Sequence, residues 1–143
     1  MIKDIRHTSK VVKDLDASKN FYLGLGFKIL RENIEEGSYI ENLTDINNAK
    51  LKWAMLISDK GAILELIEYI NPAVTNEISL LPPNRIGFSH IAFTIENIED
   101  FCELVKKLGG SVINSPEISN EGHVKVAYCY DNEGALIEAV EEL

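Results

Sequence analysis

The sequence predicts an α+β fold in which two βαβββ modules form an open-sided, eight-stranded mixed β cup with flanking helices. Three observations lead to this fold class. The halves of the chain repeat each other, each half has one helical pattern among strand patterns, and a proline-bearing segment separates them. At 143 residues the chain is long enough for one such domain with a substantial hydrophobic core.

The internal repeat extends over most of the chain. At an offset of 83, matching residues pair as His7 with His90, Val12 with Ile95, Leu15 with Ile98, Leu25 with Leu108 and Gly26 with Gly109. At an offset of 73, they pair as Lys52 with Lys125, Ala54 with Ala127, Gly61 with Gly134, Ala62 with Ala135, Glu65 with Glu138 and Glu68 with Glu141. The second copy is therefore ten residues shorter between the two groups.

The first module, about residues 1–70, begins with a predicted strand over Ile5–Val12. An amphipathic helix follows over Leu15–Leu23, with Asp14 or Asp16 as its N-cap and glycines at its end. Three further strands are predicted over Phe27–Glu32, Lys50–Ser58 and Ala62–Ile70, and Ser38–Leu43 is a candidate for an additional one. Turn residues occupy Asp45–Asn48 and Asp59–Gly61.

A linker of about residues 71–86, with three prolines, leads to the second module at about 87–143. That module repeats the order of elements: a helix over Glu99–Leu108 and strands over Gly87–Ile95, Ser111–Asn114, His123–Tyr130 and Ala135–Val140. Ser115–Gly122 is predicted to be a loop. We expect the two modules to form a single domain over residues 1–143.

The composition of the chain disfavours several kinds of binding partner. The net charge of −9 disfavours binding to nucleic acid phosphates and to anionic membrane surfaces. The chain has no apolar run of membrane-spanning length and no apolar signal core at its N-terminus, so we expect a cytoplasmic location. Cys102 and Cys129 lack metal-ligand spacing and are predicted to be buried reduced thiols.

The repeated histidines and glutamates predict a metal site. His7 and His90 lie in the first strand of their copies, and Glu65 and Glu138 lie in the last. In the predicted cup all four could point into the floor, where two carboxylates would repel each other unless a cation lay between them. Taken singly, such residues are commonly surface residues, but fold symmetry alone does not require both types to repeat. A mixed nitrogen and oxygen donor set suits Ni²⁺, Zn²⁺, Co²⁺, Fe²⁺ or Mn²⁺ and disfavours Ca²⁺.

Other polar residues receive different predictions. Glu68 and Glu141 lie three residues further on, hence on the opposite face, and are expected to be solvated exterior carboxylates. Trp53 alternates with Met55 on an apolar strand, which indicates core or dimer packing. Arg31 and Arg85 could meet an anionic arm of a substrate, although the sequence gives this no direct support.

The pattern resembles the vicinal oxygen chelate superfamily, which has the glyoxalase I and bleomycin-resistance fold. The resemblance covers nearly the whole chain. It rests on the opening His7 strand, Phe21-Tyr22, Leu25-Gly26-Phe27, Ile63–Glu68, Ser89–Phe93 and Tyr130–Glu138. The family usually has Asp-Pro-x-Gly at the last turn, where this chain has Asn132 in place of proline.

The resemblance implies a metal-dependent lyase or isomerase of glyoxalase I type. Such an enzyme acts on an α-hydroxy or α-keto thiol adduct through a metal-stabilised enediolate. The implied metal ligands are His7, Glu65, His90 and Glu138, with Ni²⁺ or Zn²⁺ as the expected ion. Glu138, alone or with Glu65, would shuttle a proton between adjacent carbons. A homodimer acting on a small molecule is also implied.

Alternatives within the superfamily remain open. A methylmalonyl-CoA epimerase-like enzyme often has Gln at the Glu65 position and needs a further inward carboxylate, for which Glu36 or Glu41 are candidates. Dioxygenases and fosfomycin-type resistance enzymes use three protein ligands. A non-catalytic drug-binding resistance protein generally lacks the ligand quartet, whereas all four positions are filled here.

Overall fold

The protein, described by a computed structural model for residues 1–75, 77 and 79–143, forms two compact units, Met1–Glu77 and Ile78–Leu143. Within the described residues there are nine strands and three helices, and each unit contains one mixed sheet. The predicted α+β class is therefore confirmed. The strand count exceeds the predicted eight because the middle of the second unit contains two short strands instead of one. The boundary between the units lies inside the predicted linker.

The first unit places a parallel strand beside an antiparallel meander. Its elements are β1 (Thr8–Val11), α1 (Leu15–Gly24), β2 (Lys28–Glu36), α2 (Ser38–Thr44), β3 (Lys50–Ile57) and β4 (Ile63–Asn71). The sheet has the order β1-β4-β3-β2, in which β1 runs parallel to β4. The helix α1 begins at Leu15, where the Asp14 side chain accepts a hydrogen bond from the amide of Ala17 at 2.9 Å.

The candidate strand over Ser38–Leu43 is wrong, because this segment forms the helix α2. Its buried residue, Ile40, packs in a cluster with Leu51 and Trp53 of β3. A strand would present alternate residues to a sheet, but in this segment Ile40 is the single buried residue. The helix ends at Asp45, whose backbone is left-handed with φ of 56°, inside the predicted turn.

The second unit repeats the arrangement with a shorter middle. Its elements are β5 (His90–Ile95), α3 (Ile98–Lys107), β6 (Ser111–Val112), β7 (Glu117–Ile118), β8 (Val124–Tyr130) and β9 (Leu136–Glu142). The sheet has the order β5-β9-β8-β6, with β5 parallel to β9 and β7 paired to β8. The predicted loop over Ser115–Gly122 is wrong at Glu117–Ile118, which form two ladder pairs with β8.

The core of the second unit contains both cysteines, which are free and buried as predicted. Burial raises the pKa of Cys102, and it raises the pKa of Cys129 to about 12. Both thiols therefore remain protonated near neutral pH, where only a thiolate would react. No helix among the described residues is long and apolar enough to cross a membrane.

The prediction that Glu68 and Glu141 are solvated exterior carboxylates is wrong. Glu68 Oε2 accepts a hydrogen bond from the Leu15 amide at 2.6 Å, and Glu141 Oε2 accepts one from the Ile98 amide at 2.9 Å. Each carboxylate thus satisfies a free N–H at the start of a helix, where the helix dipole also favours negative charge. Lys52 pairs with Glu68 at 3.0 Å. The repetition of these glutamates has a structural cause.

Candidate metal centre

Strand register brings His7 and Glu65 together in the first unit. In the parallel pair of β1 and β4, Ser9 lies opposite Glu65, and His7 is two residues before Ser9. Side chains two residues apart share a face, so the imidazole and the carboxylate point the same way. Their Nε2 and Oε2 atoms are 3.3 Å apart. His7 lies just before β1, which begins at Thr8 and is shorter than the predicted strand.

The second unit forms an equivalent pair. Ala92 lies opposite Glu138 in the parallel pair of β5 and β9, and His90 is two residues before Ala92. The same two atoms, Nε2 of His90 and Oε2 of Glu138, are 3.2 Å apart. The two units therefore build one His–Glu arrangement twice. Each pair lies within its own unit, and the meeting of all four side chains around one ion remains a prediction.

Both pairs are partly buried. The Glu65 side chain is only 14% exposed, and its neighbours Leu64 and Leu66 are buried on the opposite face of β4. A glutamate between two leucines on a strand is often fully solvated, but Glu65 is largely shielded from solvent. The Nδ1 atom of His7 is buried and has no hydrogen-bond partner among the described residues. Unpartnered buried polar atoms are rare, and a bound ion or water molecule is one explanation for them.

The donor atoms fit a divalent transition metal. Two ligands bound to one ion at about 2.1 Å lie about 3.0 Å apart in octahedral and about 3.4 Å apart in tetrahedral geometry. The observed separations of 3.3 and 3.2 Å fall in this interval. Each unit would supply one nitrogen and one oxygen ligand. In the described part of the chain, no three His, Cys, Asp or Glu side chains form a group that could hold a metal.

Tyr128 is a residue of this region that the sequence reasoning missed. It lies opposite Glu138 in the ladder of β8 and β9, and its ring is 5.4 Å from the ring of His90. Burial, and then the charge of Glu138, raises the pKa of Tyr128, so its hydroxyl remains a donor at neutral pH. Counting outward from the turn at Asp131–Gly134 would have paired Tyr128 with Glu138 from the sequence alone.

The two acidic candidates for an epimerase-like site have other partners. Glu36 forms an ion pair with Lys50 at 2.7 Å, and its side chain is well exposed. Glu41 accepts a hydrogen bond from the Asn48 amide at 3.1 Å. Arg85, a candidate for contact with an anionic substrate, donates to the Phe88 carbonyl at 3.2 Å.

Comparison with known families agrees with the repeated architecture. A family model described as the Glyoxalase/Bleomycin resistance protein/Dioxygenase superfamily matches residues 4–139. The chain belongs to this superfamily. The match includes His7, Glu65, His90 and Glu138, and members of the superfamily are generally metal-dependent.

Curated relatives within the superfamily are similar over nearly their whole length. A probable lactoylglutathione lyase of Synechocystis is 28% identical over 136 residues, which is 94% of this chain and 92% of that protein. A probable lactoylglutathione lyase of Vibrio parahaemolyticus is 30% identical over 138 residues, 96% of this chain and 89% of that protein. This chain is a glyoxalase-like enzyme.

Solved structures show the same fold. A glyoxalase family protein from Bacillus cereus superposes with a TM-score of 0.90 at 24% identity, covering 100% of this chain and 96% of that one. A genomically encoded fosfomycin resistance protein from Listeria monocytogenes superposes with a TM-score of 0.66 at 20% identity, covering 100% and 96% of the two chains. At these identities the likeness concerns the fold alone.

Proposed function

We propose that this superfamily member is a metal-dependent lyase or isomerase of glyoxalase I type that acts on an α-hydroxy or α-keto thiol adduct. The observation that carries the proposal is the repeated His–Glu pair, with the same atoms at 3.3 and 3.2 Å in the two units. The names of the curated relatives, lactoylglutathione lyases, support the same reaction class.

His7, Glu65, His90 and Glu138 would hold one divalent ion, with Ni²⁺ or Zn²⁺ expected. When bound, such an ion acts as a Lewis acid that stabilises negative charge on two neighbouring substrate oxygens. The two carboxylates would balance the two positive charges of the ion, and the two imidazoles would add nitrogen ligands without charge. The partly buried position of Glu65 limits competition from water for the same ligand positions.

Proton transfer falls to the carboxylates. Glu138 takes the proton from the hydroxyl-bearing carbon of the adduct, and the electrons of the C–H bond form a C=C bond while the neighbouring carbonyl oxygen becomes an enolate. The hydroxyl proton passes through solvent water to that enolate oxygen, and Glu138 returns its own proton to the former carbonyl carbon while the hydroxyl-bearing carbon becomes the new carbonyl. The product is the isomeric α-hydroxy thioester, and Glu138 is ionised again. Glu65 is the equivalent base in the first unit. Tyr128, in register with Glu138, donates a hydrogen bond to the oxygen on which charge develops.

We also propose that the enzyme is a cytoplasmic homodimer. Several large apolar side chains are strongly exposed in the single chain. Ile86 and Phe88, which precede β5, are 97% and 99% exposed. Exposed apolar surface of this kind marks sites of association with another chain.

The first test measures metal and turnover together. We expect about one divalent ion per pair of His–Glu sites in the purified protein, and formation of S-lactoylglutathione from methylglyoxal and glutathione. The double variant Glu65→Gln/Glu138→Gln should lose both the metal and the activity. Glu36→Gln, which removes an exposed carboxylate of β2, is the matched control and should keep both.

Two outcomes would redirect the proposal. Metal binding without lactoylglutathione formation, but with solvent proton exchange into a CoA thioester, would identify an epimerase-like enzyme. A protein that has no measurable affinity for Ni²⁺, Zn²⁺, Co²⁺, Fe²⁺ or Mn²⁺ would contradict the enzyme mechanism and leave a small-molecule binding protein.

A further inference from the structure

The strand β2 forms one edge of the sheet in the first unit. It has nine residues, whereas β1 at the opposite edge has four. Its side chains are exposed except that of Glu35, which is half-buried. Among the described residues a strand pairs with β2 only on its β3 side. The outer side of an edge strand presents unpaired backbone N–H and C=O groups, so a strand this long can pair with a strand of another chain.

Two charged residues of β2 differ from the other three. Arg31 lies over the Trp53 ring, 5.5 Å from its centroid, and Glu35 accepts a hydrogen bond from the Asn33 side-chain amide at 3.0 Å. Neither has an ion-pair partner in the part of the chain that the structure describes. The other three form ion pairs within the chain: Lys28 with Asp59 at 2.7 Å, Glu32 with Lys19 at 2.6 Å and Glu36 with Lys50 at 2.7 Å.

The two residues without an ion pair lie on the same face of the sheet. Side chains alternate along a strand, so Arg31, Asn33 and Glu35 point to one side. Leu30 is an extra residue in the ladder with β3, and this bulge puts the three side chains on the face that carries Glu65. Beyond the bulge the pairing with β3 is regular. The edge therefore presents a cation, an amide and an anion in that order.

A second copy of this chain can provide a partner for both charges at once. When two identical strands pair antiparallel about a two-fold axis perpendicular to the sheet, the residue on the axis lies opposite its own counterpart, because paired side chains must share a face. With Asn33 on the axis, Arg31 of each copy lies opposite Glu35 of the other. This register forms two cross-strand ion pairs, and each is the kind of pair that stabilises a sheet.

Other registers of the same two-fold pairing bring like charges together. If Arg31, Glu32 or Glu35 lay on the axis, it would face its own counterpart, and like charges directly opposite each other are destabilising. With Ile34 on the axis, Glu32 would lie opposite Glu36 of the other copy. In the register centred on Asn33, Glu32 lies opposite Ile34, and its charge is already paired with Lys19 inside its own chain.

We propose that β2 is an interface between two copies of this chain, in which the two strands pair antiparallel about Asn33 and Arg31 of each copy forms an ion pair with Glu35 of the other. The inference rests on the homodimer proposed above and names a surface that forms it. Met55 lies opposite Arg31 on one side and opposite Glu65 on the other. Glu35 of the second copy thus extends the row of side chains that contains the proposed metal ligand. A two-fold contact occupies both edges, so assembly through β2 stops at two copies.

Charge reversal tests the ion pairs, with sedimentation velocity of the full chain as the measurement. Arg31→Glu turns both pairs into like-charge contacts and should raise the dissociation constant of the dimer about tenfold, as should Glu35→Arg. The double variant Arg31→Glu/Glu35→Arg restores opposite charges in both pairs and should return the dissociation constant to near its native value. Lys28→Glu is the matched control: it makes the same change of charge on β2 outside the paired residues and should leave the dissociation constant unchanged.

A single cysteine tests the register. Residues directly opposite each other in an antiparallel pair have Cα atoms about 4.5–5.5 Å apart, a separation that a disulfide can span. Oxidation of Asn33→Cys with copper phenanthroline should therefore link two copies, seen as a band of twice the chain mass in non-reducing electrophoresis. Ile34→Cys is the control and should not form this band, because each Ile34 lies opposite Glu32 of the other copy. The native cysteines, Cys102 and Cys129, are buried.

The outcomes separate the interface from the homodimer. Weaker dimers of both single charge variants, recovery in the double variant and a link at Asn33→Cys alone support the interface. A native dimer that neither charge reversal weakens overturns the β2 interface and leaves the homodimer standing. A double variant that does not recover overturns the ion pairs, and a link at Ile34→Cys instead of Asn33→Cys overturns the register. A native chain that stays monomeric overturns the interface and the homodimer together.

Discussion

The role of a glutamate in this protein depends on its position along the strand and not only on its being a glutamate. Glu65 and Glu68 lie three residues apart on one strand, yet Glu65 faces an imidazole while Glu68 binds the amide at the start of α1. The same division separates Glu138 from Glu141 in the second unit. Two sets of carboxylates therefore repeat, one for structure and one for the proposed chemistry. Repetition alone does not distinguish them, whereas the atoms they contact do.

Tyr128 provides the residue-scale prediction. Removing its hydroxyl in Tyr128→Phe should lower kcat by about 10²-fold, the usual effect of deleting one donor to a developing oxyanion. The ring contact with His90 stays, so metal content measured by mass spectrometry should not change. Tyr130→Phe is the control: its hydroxyl donates to the Leu81 carbonyl at 3.0 Å, and its loss should cost about 1 kcal/mol of stability without changing kcat. Equal kcat values for native protein and Tyr128→Phe would rule out the donor role.

At the scale of elements, the two units use the same devices at equivalent positions. The Asn97 side chain accepts from the Asp100 amide at 2.8 Å, as Asp14 does from Ala17. The turn before the last strand of each unit also contains a hydrogen bond to a side chain. Ser58 Oγ accepts it from the Ala62 amide in the first unit, and Asp131 Oδ1 accepts it from the Ala135 amide in the second. These polar contacts fix where each helix and each last strand begins. The register that faces histidine with glutamate is set separately, by the parallel pairing of β1 with β4 and of β5 with β9.

Alanine substitutions at the glycines of these two turns separate the effect of local packing from the effect of backbone conformation. Gly61 and Gly134 both have left-handed backbones, with φ of 90° and 80°. A Cβ at Gly61 would meet nothing within 4 Å, whereas one at Gly134 would lie 2.7 Å from the carbonyl oxygen of Ser79. We expect Gly61→Ala to cost about 1–2 kcal/mol from backbone conformation alone. Gly134→Ala should cost at least about 1 kcal/mol more, because overpacking adds to that cost.

Urea denaturation of the two alanine variants measures the difference in the free energy of unfolding. The second unit also holds the segment before β5 against this turn, since Tyr130 donates to Leu81 at 3.0 Å. A clash at Gly134 should therefore loosen that segment as well, which limited proteolysis would detect. If both variants lose the same stability, the contact between Ser79 and the turn does not hold in solution.

At the scale of the molecule, exposed apolar surface predicts association. Besides Ile86 and Phe88, the edge strand β2 exposes Ile29, Leu30 and Ile34. A long edge strand with apolar side chains is prone to pair with another chain unless it is covered. We expect sedimentation velocity to give a species of twice the 16.0 kDa chain mass at micromolar concentration. A single species at the monomer mass over the whole concentration range would contradict the proposed homodimer.

Local patterns along the chain were enough to predict the class of fold and the helices α1 and α3. The sequence also placed each His and Glu at repeated positions, because periodicity, caps and turn residues act over a few neighbouring residues. It failed at α2, at β7 and at Glu68 and Glu141, where the outcome depends on a distant partner: the cluster around Trp53, the ladder of β8, and the first amides of α1 and α3. Tertiary structure alone decided that each histidine faces its glutamate, and that a bulge turns Arg31 onto the face of Glu65. Those facts depend on strand register, which is set when separate segments of the chain pair and so cannot be found within any one segment.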